Sequence, residues 1–181
     1  MKIEQIRPEE IERRSFEIIT DLLGEQQPPD ETAHIVKRVI HTTADLEYAE
    51  TLYFSENAAQ ILSQALAEGA HIVTDTQMAL SGINKKTLAA FGGQVHCFMA
   101  DEDVARQARE RGVTRACVSM EKAATLSVPL IFAIGNAPTA LLRLDELVRE
   151  GTVRPRLIIG VPVGFVNVVQ SKERIMNAGV P

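Results

Sequence analysis

The chain has 181 residues, 45% hydrophobic and 24% charged, with a formal net charge of −5. That size and balance suit one globular domain with a real core, and the longest apolar runs, such as Val128–Ile134, are far too short to span a bilayer. Met1-Lys2-Ile3 leads straight into charged, helix-like sequence without a secretory signal, and no dense Lys/Arg cluster marks a nucleic-acid binder.

Cys97 and Cys117 are the only cysteines and make neither a disulfide framework nor a metal-binding pair. A soluble, cytoplasmic protein is the expectation. Aromatic residues make up 4% and tryptophan is absent, so a flat ligand would be gripped mostly by aliphatic walls and polar groups.

The spacing predicts a first helix from Pro8, a first-turn proline followed by Glu9 and Glu10, to a stop at Gly24. Gln26-Gln27-Pro28-Pro29 reads as a turn, and Asp30 as the N-cap of a second helix ending near His41. Residues 57–68, rich in Ala, Leu and Gln, read as a third helix stopped by Gly69. Short apolar runs then alternate with helices. Strands are predicted at 71–74, 94–98, 129–134 and 157–161, with helices over 101–111 and 138–150. Such alternation implies parallel βαβ units, so the fold class is a three-layer α/β/α domain with a mostly parallel sheet. No repeat or linker divides the chain, and one domain over residues 1–181 is expected.

In an open parallel sheet, ligands bind beyond the carboxyl ends of the strands. The first strand leads into Asp75-Thr76-Gln77-Met78, the third into Gly135-Asn136-Ala137-Pro138-Thr139, and the fourth into Val161-Pro162-Val163-Gly164-Phe165. In the third-strand loop, Gly135 permits a sharp turn, Asn136 can cap, and Pro138 presets the first helical turn. The N–H groups at that helix start offer an anion site; the plainer alternative is a well-capped βα turn. No G-x-G-x-x-G or G-x-x-x-x-G-K-[ST] signature competes for a nucleotide.

His71 and His96 fall in strand-like runs, where packing or hydrogen bonding suits them. His34 and His41 are seven apart and lack a third ligand at metal-binding spacing, so no metal is expected. His41 ends its helix before Thr42, Thr43 and Asp45. It either complements the helix dipole or serves as an exposed proton donor oriented by the neighbouring hydroxyls.

Ala133-Ile134-Gly135-Asn136-Ala137-Pro138-Thr139-Ala140-Leu141 and Gly160-Val161-Pro162-Val163-Gly164-Phe165-Val166 resemble the signatures of the precorrin-8X methylmutases, isomerases of corrin-ring biosynthesis. Residues 12–16, 39–41, 74–78, 114–115 and 171–173 match in the same order. The resemblance implies migration of a methyl group from C-11 to C-12 of a corrinoid, giving hydrogenobyrinate from precorrin-8 or cobyrinate from its cobalt form, without a cofactor. It makes His41 the proton donor and acceptor, and Ser15 and Arg115 substrate contacts. With them go Asp75, Gly135, Asn136, Ala137, Pro138, Thr139 and Gly164 as the lining of the substrate pocket.

The residues suit that substrate, since a corrinoid is a flat polyanion. Helix-start N–H groups beside Asn136, Arg115, and Arg13 or Arg14 are groups that carboxylates need. For Arg115 the plain alternative is a surface arginine, and for Ser15 a hydroxyl bonding back to its own helix. The resemblance also implies a homodimer with pockets near its interface. Family members continue through a further strand and helix beyond the point where this chain stops, so those elements are expected to be absent. Two other readings stand beside the isomerase: a corrinoid-binding protein without turnover, and a generic α/β enzyme acting on a small acidic metabolite.

Overall fold

A computed structural model of the chain describes residues 4–181; the opening Met1-Lys2-Ile3, which bears on the expectation about a signal, lies outside them. The chain forms two compact units, one running to Ser55 and the other Glu56–Pro181. The first is helical. A 3₁₀ turn at Pro8–Glu10 leads into α1 (Ile11–Leu23), followed by α2 (Asp30–Thr43) and the short α3 (Tyr48–Thr51). Ile19 and Leu23 of α1 meet Val36 and Ile40 of α2 in a small core, to which Phe16, Tyr48, Leu52 and Phe54 add. These positions recur at three- and four-residue spacing, the stripe that drives two helices together. Asp30 opens α2 as its first residue and Pro29 takes the cap position, which corrects the expected boundary by one residue.

The second unit carries the α/β architecture. It runs through α4 (Ala58–Ala67), β1 (His71–Thr74), α5 (Gln77–Gly82), α6 (Lys85–Ala90), β2 (Val95–His96), α7 (Glu102–Arg111), α8 (Arg115–Ala123), β3 (Leu130–Ile134), α9 (Pro138–Arg149), β4 (Leu157–Gly160) and α10 (Val168–Met176). The four strands form one sheet in the order β2-β1-β3-β4, every pair parallel.

The register divides the sheet's two faces. Val73 lies opposite Phe132, and Ile72 opposite Ile131, which in turn pairs with Leu157. Successive strand residues point to opposite sides. One face therefore joins Val73, Leu130, Phe132 and Ile134 to Ala116 and Met120 of α8, Leu141, Leu144 and Leu147 of α9, and Ile175 of α10. The other joins Ile72, Ile131 and Leu157 to Ile61, Leu62 and Ala65 of α4. Helices on both faces of an all-parallel sheet are the three-layer class expected. Phe132, Ile134, Leu141 and Leu144 are fully inaccessible, and burying each contributes roughly 1.5–3 kcal/mol.

Differences from the predicted elements have local causes. The second strand pairs over Val95 and His96 only, because β2 is an edge strand and Cys97 already leads away toward α7. Gly93 precedes it where a Cβ would lie 2.5 Å from the Ala70 carbonyl oxygen, so no other residue fits that approach without movement. Helices α3, α5, α6, α8 and α10 lie outside the predicted elements. No helix among the described residues is long and apolar enough to cross a membrane.

Candidate functional site

The strand order places the reversal of chain direction between β1 and β3, since β2 lies on one side of β1 while β3 and β4 lie on the other. That is where open α/β sheets leave a crevice. Asp75, the residue after β1, and Gly135, the residue after β3, meet there. Asp75 is 1% exposed. Its Oδ1 accepts the Gly135 N–H at 2.9 Å, and its Oδ2 accepts the N–H groups of Asn136 at 2.9 Å and Ala137 at 2.6 Å.

This corrects the expectation of an anion site there. The N–H groups before α9 are directed at an anion, but the anion is the protein's own carboxylate. Asp75 is enclosed, with both of its oxygens engaged by the N–H groups that were expected to meet an external anion. It also takes over the capping expected of Asn136: Ala137 is the N-cap of α9, no side chain caps from within the loop, and Pro138 occupies the first turn as expected. Gly135 departs from its expected role as well. Its φ lies outside the left-handed region and nothing stands within 4 Å of an added Cβ, so the turn itself does not require glycine.

A second helix start adjoins the loop. Thr114 caps α8 by accepting the Cys117 N–H, and its hydroxyl lies 2.9 Å from that of Thr139 in the first turn of α9. Cys117 Sγ donates to the Thr139 carbonyl oxygen at 3.6 Å. Two helix N-termini are thus tied side by side, and Arg115, exposed at the first position of α8, stands next to the tie. Arg115 makes no salt bridge among the described residues. Four other arginines of this unit are committed elsewhere: Arg111 and Arg143 to Glu121, and Arg149 and Arg174 to the fully buried Asp145.

The loop after β4 belongs to the same end of the sheet. Gly164 holds φ +132°, a conformation that a side chain strains. Around it Val161, Val163, Phe165 and Val166 are exposed, Phe165 completely so, and Met78 after β1 is exposed too. The uncovered apolar side chains after β4 are concentrated in one short loop. His71 Nδ1 on β1 and His96 Nε2 on the edge strand β2 lie 2.8 Å apart with their rings stacked, so both histidines serve the structure as expected. Burial, and then the neighbouring His71, hold His96 below the ordinary histidine pKa.

His41 and Ser15 belong to the first unit. His41 is exposed in the last turn of α2, and its ring meets that of Phe16 edge to face at 5.7 Å. The hydroxyls expected to orient it are turned away: Thr42 and Thr43 donate to the carbonyl oxygens of Arg38 and Val39, one turn back. Phe16 also carries the Arg38 guanidinium 4.9 Å from its ring centre, and Arg38 holds Glu12 at 2.7 Å. That partner keeps the Glu12 carboxyl below the usual range. Aromatic contact and a neighbouring ion pair, not hydroxyls, therefore set the ring's surroundings. Ser15 Oγ donates to the Ile11 carbonyl at 2.9 Å, the local bond that its mid-helix position favours. Arg13 and Arg14 are paired with Glu17, Glu10 and Glu4, so neither is an uncommitted cation.

Sequence reasoning passed over Thr114 and Phe165 as site residues. The signal for Thr114 was its place before Arg115 and the Ala116, Met120, Ala123 stripe, which marks a helix with a threonine cap. For Phe165 the signal was its place in the Gly160–Val166 segment at the end of the fourth strand, where an aromatic side chain stands beside a glycine.

The precorrin-8X methylmutase family model matches residues 10–181. A cobalt-precorrin-8 methylmutase of Priestia megaterium is 43% identical over 97% of this chain and 78% of its own length. Its counterpart from Salmonella typhimurium is also 43% identical, over 97% of this chain and 84% of its own. The crystal structure of the Thermus thermophilus precorrin-8X methylmutase superimposes with a TM-score of 0.86 at 38% identity, covering 96% of this chain and 84% of that one. With a matching fold and this degree of identity along nearly its whole length, the chain belongs to the precorrin-8X methylmutase family of isomerases.

Proposed function

We propose that this protein moves the C-11 methyl group of precorrin-8, or of its cobalt form, to C-12, with His41 giving and retaking the proton. The observation that carries this reading is the family match over residues 10–181, which spans His41 as well as every strand-end loop. Methyl migration within one molecule needs no donor or redox partner. Protonation next to C-11 makes the conjugated ring electron-poor, the methyl group shifts suprafacially to the adjacent carbon, and loss of the proton leaves an isomer of the starting material. A positioned histidine supplies about 10²–10⁴-fold of such a rate, and holding the ring in shape must supply the rest. An exposed imidazole with no hydrogen-bond partner among the described residues suits proton exchange with a ligand.

The substrate's carboxylates and the chain's net charge of −5 repel one another overall, so binding depends on local cations and apolar contact. Arg115 supplies the cation. The exposed Val161, Val163, Phe165 and Val166 offer apolar contact to the macrocycle, with Asn136 and Thr139 as polar contacts and Gly135, Ala137, Pro138 and Gly164 shaping the wall. Ser15 contributes hydroxyl lone pairs, its proton being committed to Ile11.

The two units are read as one catalytic domain, working in the cytoplasm as a homodimer. Sedimentation equilibrium at micromolar concentration tests the dimer: a species near twice 19.9 kDa agrees with it, and one near 19.9 kDa excludes it. For the reaction, the visible spectrum is followed after adding precorrin-8 anaerobically. Conversion by the parent protein and none by His41→Ala, with the ring's absorption still shifted on binding, supports the assignment. A spectral shift with no turnover by the parent identifies a corrinoid-binding protein instead.

A further inference from the structure

We infer that Asp75 is a positioning residue: a built-in anion that sets the β3–α9 loop and, through it, the helix start carrying Arg115. This rests on the methylmutase reading only for the substrate used to measure it. Three backbone N–H groups converging on one point, before a twelve-residue helix, make a cradle for an external carboxylate or phosphate. Here both oxygens of a fully enclosed carboxylate fill it. An anionic substrate entering such a cradle would displace a neutral loop easily. It cannot displace a charge tethered to β1, 60 residues away in sequence.

The consequence is directional. Fixing Gly135, Asn136 and Ala137 fixes where α9 begins and so where Thr139, in its first turn, is held. The Thr139 and Thr114 hydroxyls, 2.9 Å apart, carry that placement to the start of α8, and Arg115 is its first residue. Asp75 thereby decides where a positive charge and two polar groups meet the substrate's carboxylates without touching them. It also denies the substrate a wrong docking point, since an empty cradle would compete with Arg115 for the same carboxylates.

The test uses the full chain and Asp75→Ala and Asp75→Asn, assayed with and without about 100 mM formate, an anion small enough for the vacated cradle. Three readings are taken: amide hydrogen exchange at Gly135, Asn136 and Ala137, the thermal midpoint, and kcat and KM for precorrin-8. Exchange at those three amides should rise at least tenfold in Asp75→Ala, and formate should slow it again and raise the midpoint. KM should rise about tenfold or more while kcat stays within about threefold, and formate should bring KM back toward the parent value. A residue that only supports folding would behave differently, because a smaller folded fraction lowers apparent kcat and leaves KM alone. An unchanged KM in either folded variant, or exchange indifferent to both the substitution and formate, overturns the proposal. If Asp75→Ala folds only in formate, the same comparison is made by replacing formate with chloride in Asp75→Asn. Should the parent protein itself ignore precorrin-8, the methylmutase reading fails, and the exchange and formate measurements still decide whether Asp75 holds the loop.

Discussion

Replacing Gly135 by alanine separates a glycine kept for the fold from one kept for a ligand. Its φ is not left-handed, its N–H bond to Asp75 survives the substitution, and the new methyl group meets nothing within 4 Å. Loss of unfolded-state freedom should then leave the variant as stable as the parent or more so, by about 0.4–1 kcal/mol. For a chain of this size that is a rise of about 1–4 °C in thermal midpoint. The methyl group would project where the proposed ring lies. An inserted methyl group in a packed contact typically costs about 1–3 kcal/mol, which is about five- to 150-fold in affinity. Calorimetric melting, paired with titration of the visible band of hydrogenobyrinate, reads both quantities on one preparation. A midpoint lowered by several degrees would mean that the loop's geometry has been misjudged. A stable variant with an unaltered dissociation constant would show that the ring does not lie against Gly135.

The remaining predictions concern charge and chemistry. His41→Ala should lower kcat by at least about a hundredfold while changing stability little, because the exposed ring gives up only an edge contact with Phe16; parental kcat in this variant removes His41 from the reaction. Arg115→Ala should weaken corrinoid binding by about ten- to a hundredfold, more at low than at high salt, without altering the melting midpoint; equal affinity at both salt concentrations counts against a carboxylate contact. Glu121 is held below its ordinary value of 4.5, chiefly by hydrogen bonding to Arg111, and also by Arg143. A depressed carboxyl adds stability above its unfolded pKa and loses it as pH falls through the folded one. The parent should therefore be more stable than Glu121→Gln at neutral pH, with the gap closing below about pH 4.5 in urea titrations; a gap independent of pH would refute that ion-pair role.

The parts of the fold that were legible in the sequence are those where a local rule and the tertiary structure agree. The strand at His71–Thr74 and the apolar core of the one at Leu130–Ile134 stand out because both faces are buried, which makes their apolar runs continuous. Helix α9 announces itself through Pro138 at its start and Gly151 beyond its end. Helix α8 is harder to read: Arg115, Glu121 and Lys122 interrupt its buried stripe, and the ion-pair partners of Glu121 and Lys122 lie on other elements. The strand-end loops stand out in the sequence by composition, but the direction of Asp75 does not. An acidic residue after a strand looks like a ligand contact until its three N–H partners, 60 to 62 residues further along, are brought to it by the β1–β3 pairing. The same limit applied to His41, whose neighbouring hydroxyls looked available in sequence but are bonded to carbonyl groups of their own helix.

The central claim is that the chain moves a methyl group between adjacent carbons of one molecule with His41 handling the proton. Precorrin-8 carrying ¹³C in the C-11 methyl group tests it most directly, with carbon NMR of the product formed by the parent and by His41→Ala. The expected product has unchanged mass and a labelled methyl signal that reports attachment at C-12, and it is formed by the parent and not by the variant. A labelled methyl group still at C-11 after full exposure to the parent protein, or transfer at parental rate without His41, would contradict it.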